Sequence, residues 1–151
     1  MSFRLALERL AALNVVGVAQ HYGVEAVPDA LTRAHLPALL VLPVEIPDDT
    51  LFNERGGGLS PLAFAEGTST LVCTVNHLLL VAPVGAGAGL RTHLPLLVDL
   101  MDAYFDALGA DVTLGGALLE PAQVRTQAGV FPRGGAVYHG CAFRHRWVLA
   151  G

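Results

Sequence analysis

Residues Thr68–Ala82 read Thr-Ser-Thr-Leu-Val-Cys-Thr-Val-Asn-His-Leu-Leu-Leu-Val-Ala. Leu71, Cys73, Val75, His77, Leu79 and Val81 fall on one side of an extended chain, and Val72, Thr74, Asn76, Leu78, Leu80 and Ala82 on the other. The second half is apolar on both sides, which predicts a central strand. The chain closes with a second alternating run over 136–149. There Val137, His139, Cys141, Phe143, His145, Trp147 and Leu149 point one way, and Tyr138, Gly140, Ala142, Arg144, Arg146 and Val148 the other. A strand over 117–126 is expected before it, joined through a turn made by Gly129, Pro132, Gly134 and Gly135. Upstream, Ala38–Leu42 is a short, wholly apolar strand stopped by Pro43.

Two helical patterns flank these strands. Over 3–13, Phe3, Ala6, Leu7, Leu10, Ala11 and Leu13 share one side and Arg4, Glu8 and Arg9 the other. Over 92–108, Thr92 is placed to cap the helix, with Pro95 in its first turn and Gly109 as the stop. Its expected buried side is Leu97, Leu100, Met101, Tyr104, Phe105 and Leu108. Residues 15–24 are a weak strand or an irregular connection, and Pro28 and Asp29 open a helical turn reaching about His35. Residues 44–67, rich in Pro, Asp and Gly with Phe52, Leu59, Leu62 and Phe64 set among them, predict a projecting loop or hairpin arm. The succession predicts an α+β fold, with a largely antiparallel sheet and helices packed on one face.

The 151 residues make one domain, 1–151. Hydrophobic residues are 53% and charged ones 15%, against roughly 25% charged in an average soluble domain. Part of the surface is therefore expected to be covered by something else. There is no Lys; all nine basic residues are Arg. That excludes Schiff-base enzymes, the phosphate-loop lysine and the kinase strand lysine. Only Ser2, Ser60 and Ser69 occur, none in a GxSxG elbow, so an α/β-hydrolase is excluded. A net charge of −4 speaks against a basic nucleic-acid surface. The apolar stretches Leu36–Ile46 and Leu78–Leu90 carry prolines and are shorter than a membrane span, and charges interrupt the first apolar run as they would not in a signal peptide. A cytosolic setting is expected, in which Cys73 and Cys141 are free thiols.

Four groups of residues bear on chemistry. Cys73 and His77 share one strand face, and His139, Cys141 and His145 another; on neighbouring strands the five would converge. The spacing lacks a CxxC or HxxxH element and the faces are otherwise apolar, so core residues are expected and no metal or cofactor is assigned. Gly85, Gly87 and Gly89 resemble a dinucleotide fingerprint only loosely, because the spacing is GxGxG and no ribose-binding acid follows; a linker is expected. Asp99, Asp102 and Asp106 form a carboxylate stripe, either a solvated helix face or the wall of a passage that repels phosphate. Arg144 and Arg146 share a strand face, either a solvated one or one that meets another subunit's carboxylates or a phosphate. No nucleophile, base and orienting group can be named together, so no catalytic residue is assigned.

The order of features resembles the tail-terminator and tail-completion proteins of long-tailed bacteriophages. The likeness runs through the helix at 3–13, the segments Val27-Pro-Asp29 and Leu36-Pro-Ala-Leu-Leu-Val-Leu-Pro43, and the strand at 68–81. It continues through the helix at 92–108, Leu114-Gly-Gly116 and Gly134-Gly-Ala-Val-Tyr-His-Gly-Cys-Ala-Phe143. The resemblance implies a non-enzymatic ring protein of the virion, assembled in the host cytoplasm. It implies a homohexamer that caps the tail tube, meets the major tube protein and a neck protein, and passes DNA through its lumen without specific binding. On that reading Phe52, Leu59, Phe64, Arg144 and Arg146 are expected at subunit or partner contacts. Asp48, Asp49, Asp99, Asp102 and Asp106 are expected toward the lumen, with no membrane contact. The triple glycine Gly56–Gly58 in the long arm departs from the family pattern. Two alternatives stand beside it. One is another neck ring, a head-closure or connector protein. The other is a small metal- or ligand-binding α+β enzyme using His77, His139, Cys73 and Cys141.

Overall fold

A computed structural model describes residues 3–43, 70–85 and 89–150, apart from the side chain of Leu90. Helix α1 (Phe3–Ala11) is followed by strand β1 (Gln20–Tyr22), a 3-10 turn at Arg33–His35, and strand β2 (Ala38–Leu42). Strand β3 (Thr70–Pro83), helix α2 (Leu90–Gly109) and the hairpin of β4 (Gln123–Arg133) and β5 (Ala136–Ala150) complete the order. The five strands form one mixed sheet in the order β1-β2-β3-β5-β4; only β1 and β2 run parallel. The fold is α+β, and β3 is central, as its two apolar faces require. No helix of the described residues is long and apolar enough to cross a membrane. The projecting arm expected over 44–67, with Asp48, Asp49, Phe52, Leu59 and Phe64, lies outside the described residues.

Both helices lie on one face of the sheet. Ala6, Leu7 and Leu10 of α1 and Leu97, Leu100, Tyr104 and Leu108 of α2 meet Leu39, Val41, Leu71, Cys73, Val75, Leu79, Cys141, Phe143, Trp147 and Leu149. Each large side chain hidden there contributes roughly 1.5–3 kcal/mol of apolar burial. The opposite face is divided. Leu40, Leu78, Leu80, Phe131, Tyr138 and Ala142 pack beneath Tyr22 of β1 and Val27, Leu31 and Leu36 of the connection between β1 and β2. Arg133 ties that connection down, its guanidinium donating to the Pro28 carbonyl at 2.9 and 3.1 Å. The other half of this face carries Thr74, Arg125, Arg144 and Arg146, and no part of the described connection is packed on it.

Gly140 marks a close crossing in the sheet. It pairs with Leu80, beside a register shift between Leu80 and Ala82, and a Cβ there would collide with the carbonyl oxygen of Leu79. Only glycine lets β5 pass this irregularity at pairing distance.

Several sequence expectations are corrected. Helix α2 starts at Leu90, so Gly89 occupies the cap position with no side-chain bond, and Thr92 lies inside the first turn with its N–H on the Gly89 carbonyl at 3.1 Å. Pro95 therefore falls beyond the first turn. Gly109 is the last helical residue rather than a left-handed stop. Ala110 caps the helix with right-handed geometry, and the chain reverses at Leu114, Gly115 and Gly116, all at positive φ. The Asp111 carboxylate holds this reversal by accepting the Gly115 N–H at 2.7 Å. Gly129 and Pro132 belong to β4, not to the turn, and 117–122 lies ahead of the strand. Pro132 is tolerated because β4 is an edge strand. Gly134 (φ +58°) and Gly135 (φ +79°) alone make the hairpin turn, the left-handed pair that matches strand twist. Phe105, expected in the buried face of α2, is 42% exposed because it sits on the flank of the stripe that meets the sheet.

Candidate interaction surfaces and a buried polar chain

The pairing of β3 with β5 brings together two of the five Cys and His residues that alternation had placed on strand faces. Val75 is opposite His145 and His77 is opposite Phe143, so His77 and His145 are diagonal neighbours on the helix side. Tyr104 of α2 comes down between them. Its hydroxyl lies 2.8 Å from His77 Nδ1 and 2.6 Å from His145 Nε2, and its ring stacks on Phe143 at 3.7 Å. The Trp147 indole lies 3.2 Å from His145 Nδ1.

These contacts fix the direction of every proton in the chain. An indole N–H only donates, so His145 Nδ1 accepts. A neutral His145 then carries its proton on Nε2 and donates it to the Tyr104 oxygen. Tyr104 donates its own proton to His77 Nδ1, which puts the His77 proton on Nε2. That Nε2 is buried with no partner. Burial holds both imidazoles neutral. His145 is brought down to about 3, and His77 is pushed well below its ordinary range, first by desolvation and then by the nearby His145 and His21. Desolvation also raises the Tyr104 phenol well above its usual value.

Cys73 and Cys141 are buried, free and unreactive in character. Loss of water raises their thiols to about 11 and about 12, so neither supplies a thiolate near neutrality. His139 is buried beside the His93 ring at 5.7 Å, away from the Tyr104 chain, with neither ring nitrogen bonded. Among the described residues no three His, Cys, Asp or Glu side chains gather as a metal site would require. His77, His139, Cys73 and Cys141 are thus parts of the core and do not line a cleft. Tyr104, which organises two of them, went unrecognised in the sequence because its helical spacing reads only as core.

The surface is where charge collects. On α2, Leu97, Leu100, Tyr104 and Leu108 face the sheet, which turns Asp99, Asp102 and Asp106 outward on the opposite side; all three are exposed. Beside them Leu94, Val98, Met101 and Phe105 follow one another at spacings of four, three and four residues. That is the interval of a helix seam, yet Leu94, Val98 and Phe105 are exposed.

On the far side of the sheet, Arg144 and Arg146 are joined by Arg125 of β4. Arg125 stands directly opposite Arg144, and Gln123 and Thr74 flank Arg146 on either side. Arg144 Nε lies 3.4 Å from the Asn76 side-chain oxygen. The three arginines, Thr74 and Gln123 line a groove of about 240 Å³. Arg125 could have been found from the sequence only by knowing the β4 register, which its misplaced boundaries concealed. No family model matches this chain, and the curated proteins contain no significant match to it.

Proposed function

We propose that the chain is a structural ring subunit at the neck or tail end of a long-tailed bacteriophage. In this role it closes the tail tube, joins it to the head through tube and neck proteins, and leaves a lumen through which DNA passes unbound. It needs no cofactor and catalyses no reaction. The reading is supported by the order of elements that carries the family resemblance and by the α+β sheet with both helices on one face. The observation that carries it furthest is the outer side of α2, where Leu94, Val98 and Phe105 are about half exposed in a row. Such a stripe is stable in water when another protein covers it. A ring subunit, bounded by neighbours on two sides and by the tube at one end, provides that cover.

Mass photometry and negative-stain electron microscopy of the purified protein, alone and with tail tubes, test the reading. Hexameric rings, or rings formed at tube ends, are the expected result. A monomer that never joins tubes would overturn it. Another ring of the same neck is separated by its partner: binding to a portal or head-closure surface in place of tube ends identifies that role. The enzyme alternative finds no observation in its favour, since its four residues lie in the core.

A further inference from the structure

We propose that the outer edge of β4 is a contact between two copies of this chain, in which β4 of one copy pairs antiparallel with β4 of the other. The inference goes beyond the ring reading and does not rest on it. The hairpin decides which backbone groups the edge offers. Gly134 and Gly135 form a two-residue turn, so Arg133 and Ala136 make the closing hydrogen-bonded pair. Bonded pairs then fall on the odd-numbered residues of β4, and the amides and carbonyls of Val124, Thr126, Ala128 and Val130 point away from β5. Among the described residues none bonds to them. The stretch is bounded at both ends. Ala122, the next residue with the same direction, already gives its amide to the Val112 carbonyl at 2.8 Å, and Pro132 has no amide.

These bounds make the edge complementary to itself. The midpoint of 124–130 is Gln127, and a two-fold axis there sets Val124 opposite Val130, and Thr126 opposite Ala128, of the second copy. Every outward amide and carbonyl in the stretch is then used, two bonds to a pair and about eight in all. An axis at Ala128 would set Val124 against Pro132, and one at Thr126 would set Val130 against the occupied amide of Ala122, so the Gln127 register alone completes the ladder. The side chains of the four residues lie on the helix side, since they stand opposite His145, Phe143, Cys141 and His139. Over this part of β4 that side is open, with Ala128 and Val130 exposed. Helix α2 borders it. Its Leu96 shares a pocket with Leu36 and Pro37, and its Ala107 shares one with Arg9 and Leu13, so that flank faces β2 and α1. The other flank, with Leu94, Val98 and Phe105, therefore leans toward β4, and Phe105 lies edge-on to Phe143 at 5.8 Å. Pairing doubles the apolar floor beside this row, with Val124 and Val130 of the two copies side by side, and removes it from water. Both copies use the same surface, so the contact is isologous and closes as a pair; a hexamer that contains it is three such pairs.

The test uses the full chain. Facing Cα atoms of a non-bonded antiparallel pair are about 4.5 Å apart, within disulfide range, and Gln127 forms such a pair with its own copy. Gln127→Cys is expected to give a disulfide-linked dimer on mild oxidation, seen on non-reducing gels, whereas Gln123→Cys, which would stand opposite Phe131, is expected to give none. Cys73 and Cys141 are buried and do not compete. In sedimentation velocity over a dilution series the parent is expected to form pairs or assemblies of pairs. Ala128→Pro removes one outward amide per copy and leaves the β4–β5 bonds in place, and is expected to weaken pairing about 10-fold or more. Far-UV circular dichroism and a thermal melt establish that it is folded. If it is not, Val130→Lys, which sets a charge on the apolar floor, is read in the same way. A folded variant that associates like the parent, equal cross-linking at 123 and 127, or a parent that stays monomeric throughout overturns the edge pairing. Rings at tube ends with no cross-link in Gln127→Cys overturn the pairing and leave the ring reading in place. A cross-linked pair that never joins tubes overturns the ring reading and leaves the pairing.

Discussion

On the helix side of β5, His145 lies between Trp147 and Tyr104 with no access to water. One residue away on the other side, Arg144 and Arg146 stand with Arg125 around an open groove. The same strand thus carries its polar groups into two dielectrics. Beneath the helix, charge is expelled: the imidazoles stay neutral, and each hydrogen bond fixes the proton of the next ring. On the opposite face, Arg125 and Arg146 are exposed and Arg144 is half-buried, so charge is kept where water reaches it. A polar residue under α2 is therefore bound up with folding, whereas one on the groove is expected to matter little to it.

That division can be broken by titration, where the largest effect is expected. His145 is held at about 3 in the folded chain against an ordinary 6.5, so between those values the unfolded chain binds more protons. Stability is fully present above about pH 6.5 and falls as pH drops toward 3. At about 1.4 kcal/mol per pK unit, the full loss from His145 is on the order of 5 kcal/mol, and His77 adds in the same direction. Urea unfolding at about pH 7.5 and about pH 4 reads it. Equal stabilities at the two would mean that the imidazoles are not buried in neutral form.

Next is Tyr104→Phe, which keeps the stacking on Phe143 but strands His77 Nδ1 and His145 Nε2. A loss of about 2–4 kcal/mol is expected in urea melts, since two buried groups lose their partner. Gly140→Ala sharpens the contrast from the backbone side. Its Cβ meets the Leu79 carbonyl, and a cost of about 1–3 kcal/mol is expected from thermal unfolding. Arg146→Gln is expected to be the mildest, within about 0.5 kcal/mol, because the side chain is exposed and its cross-strand neighbours Thr74 and Gln123 are uncharged. A clear destabilisation there would show that the groove contributes to folding.

Much of the frame was readable from alternation. Ala38–Leu42 is a strand at the expected residues, β3 is central, and the two sides of β5 fall as its sequence divides them. These succeed because period-two burial is a strong signal in long, apolar strands. Failures gather where glycine and proline have more than one use. Gly129 and Pro132 look like turn residues, but an edge strand accepts both. Thr92 looks like a cap, but the cap is Gly89, three residues earlier, and the helix begins at Leu90. For the site, Arg144 and Arg146 and the acidic stripe were visible as strand and helix faces. Arg125 and Tyr104 were not, because each gains its role from register and packing between elements distant in sequence.

The outer edge of β4 has a consequence for the life of the protein before assembly. Eleven residues, Gln123–Arg133, end the sheet, and no described strand pairs beyond them. Their free amides and carbonyls are a template for any extended chain. Newly made subunits crowded at high concentration would be drawn to pair edge to edge, out of register and irreversibly. Two residues near the ends of β4 oppose this: the Arg125 charge toward one end and Pro132, which offers no amide, toward the other. Neutralising Arg125 is thus expected to lower solubility during synthesis, leaving Pro132 to guard one end of the edge alone.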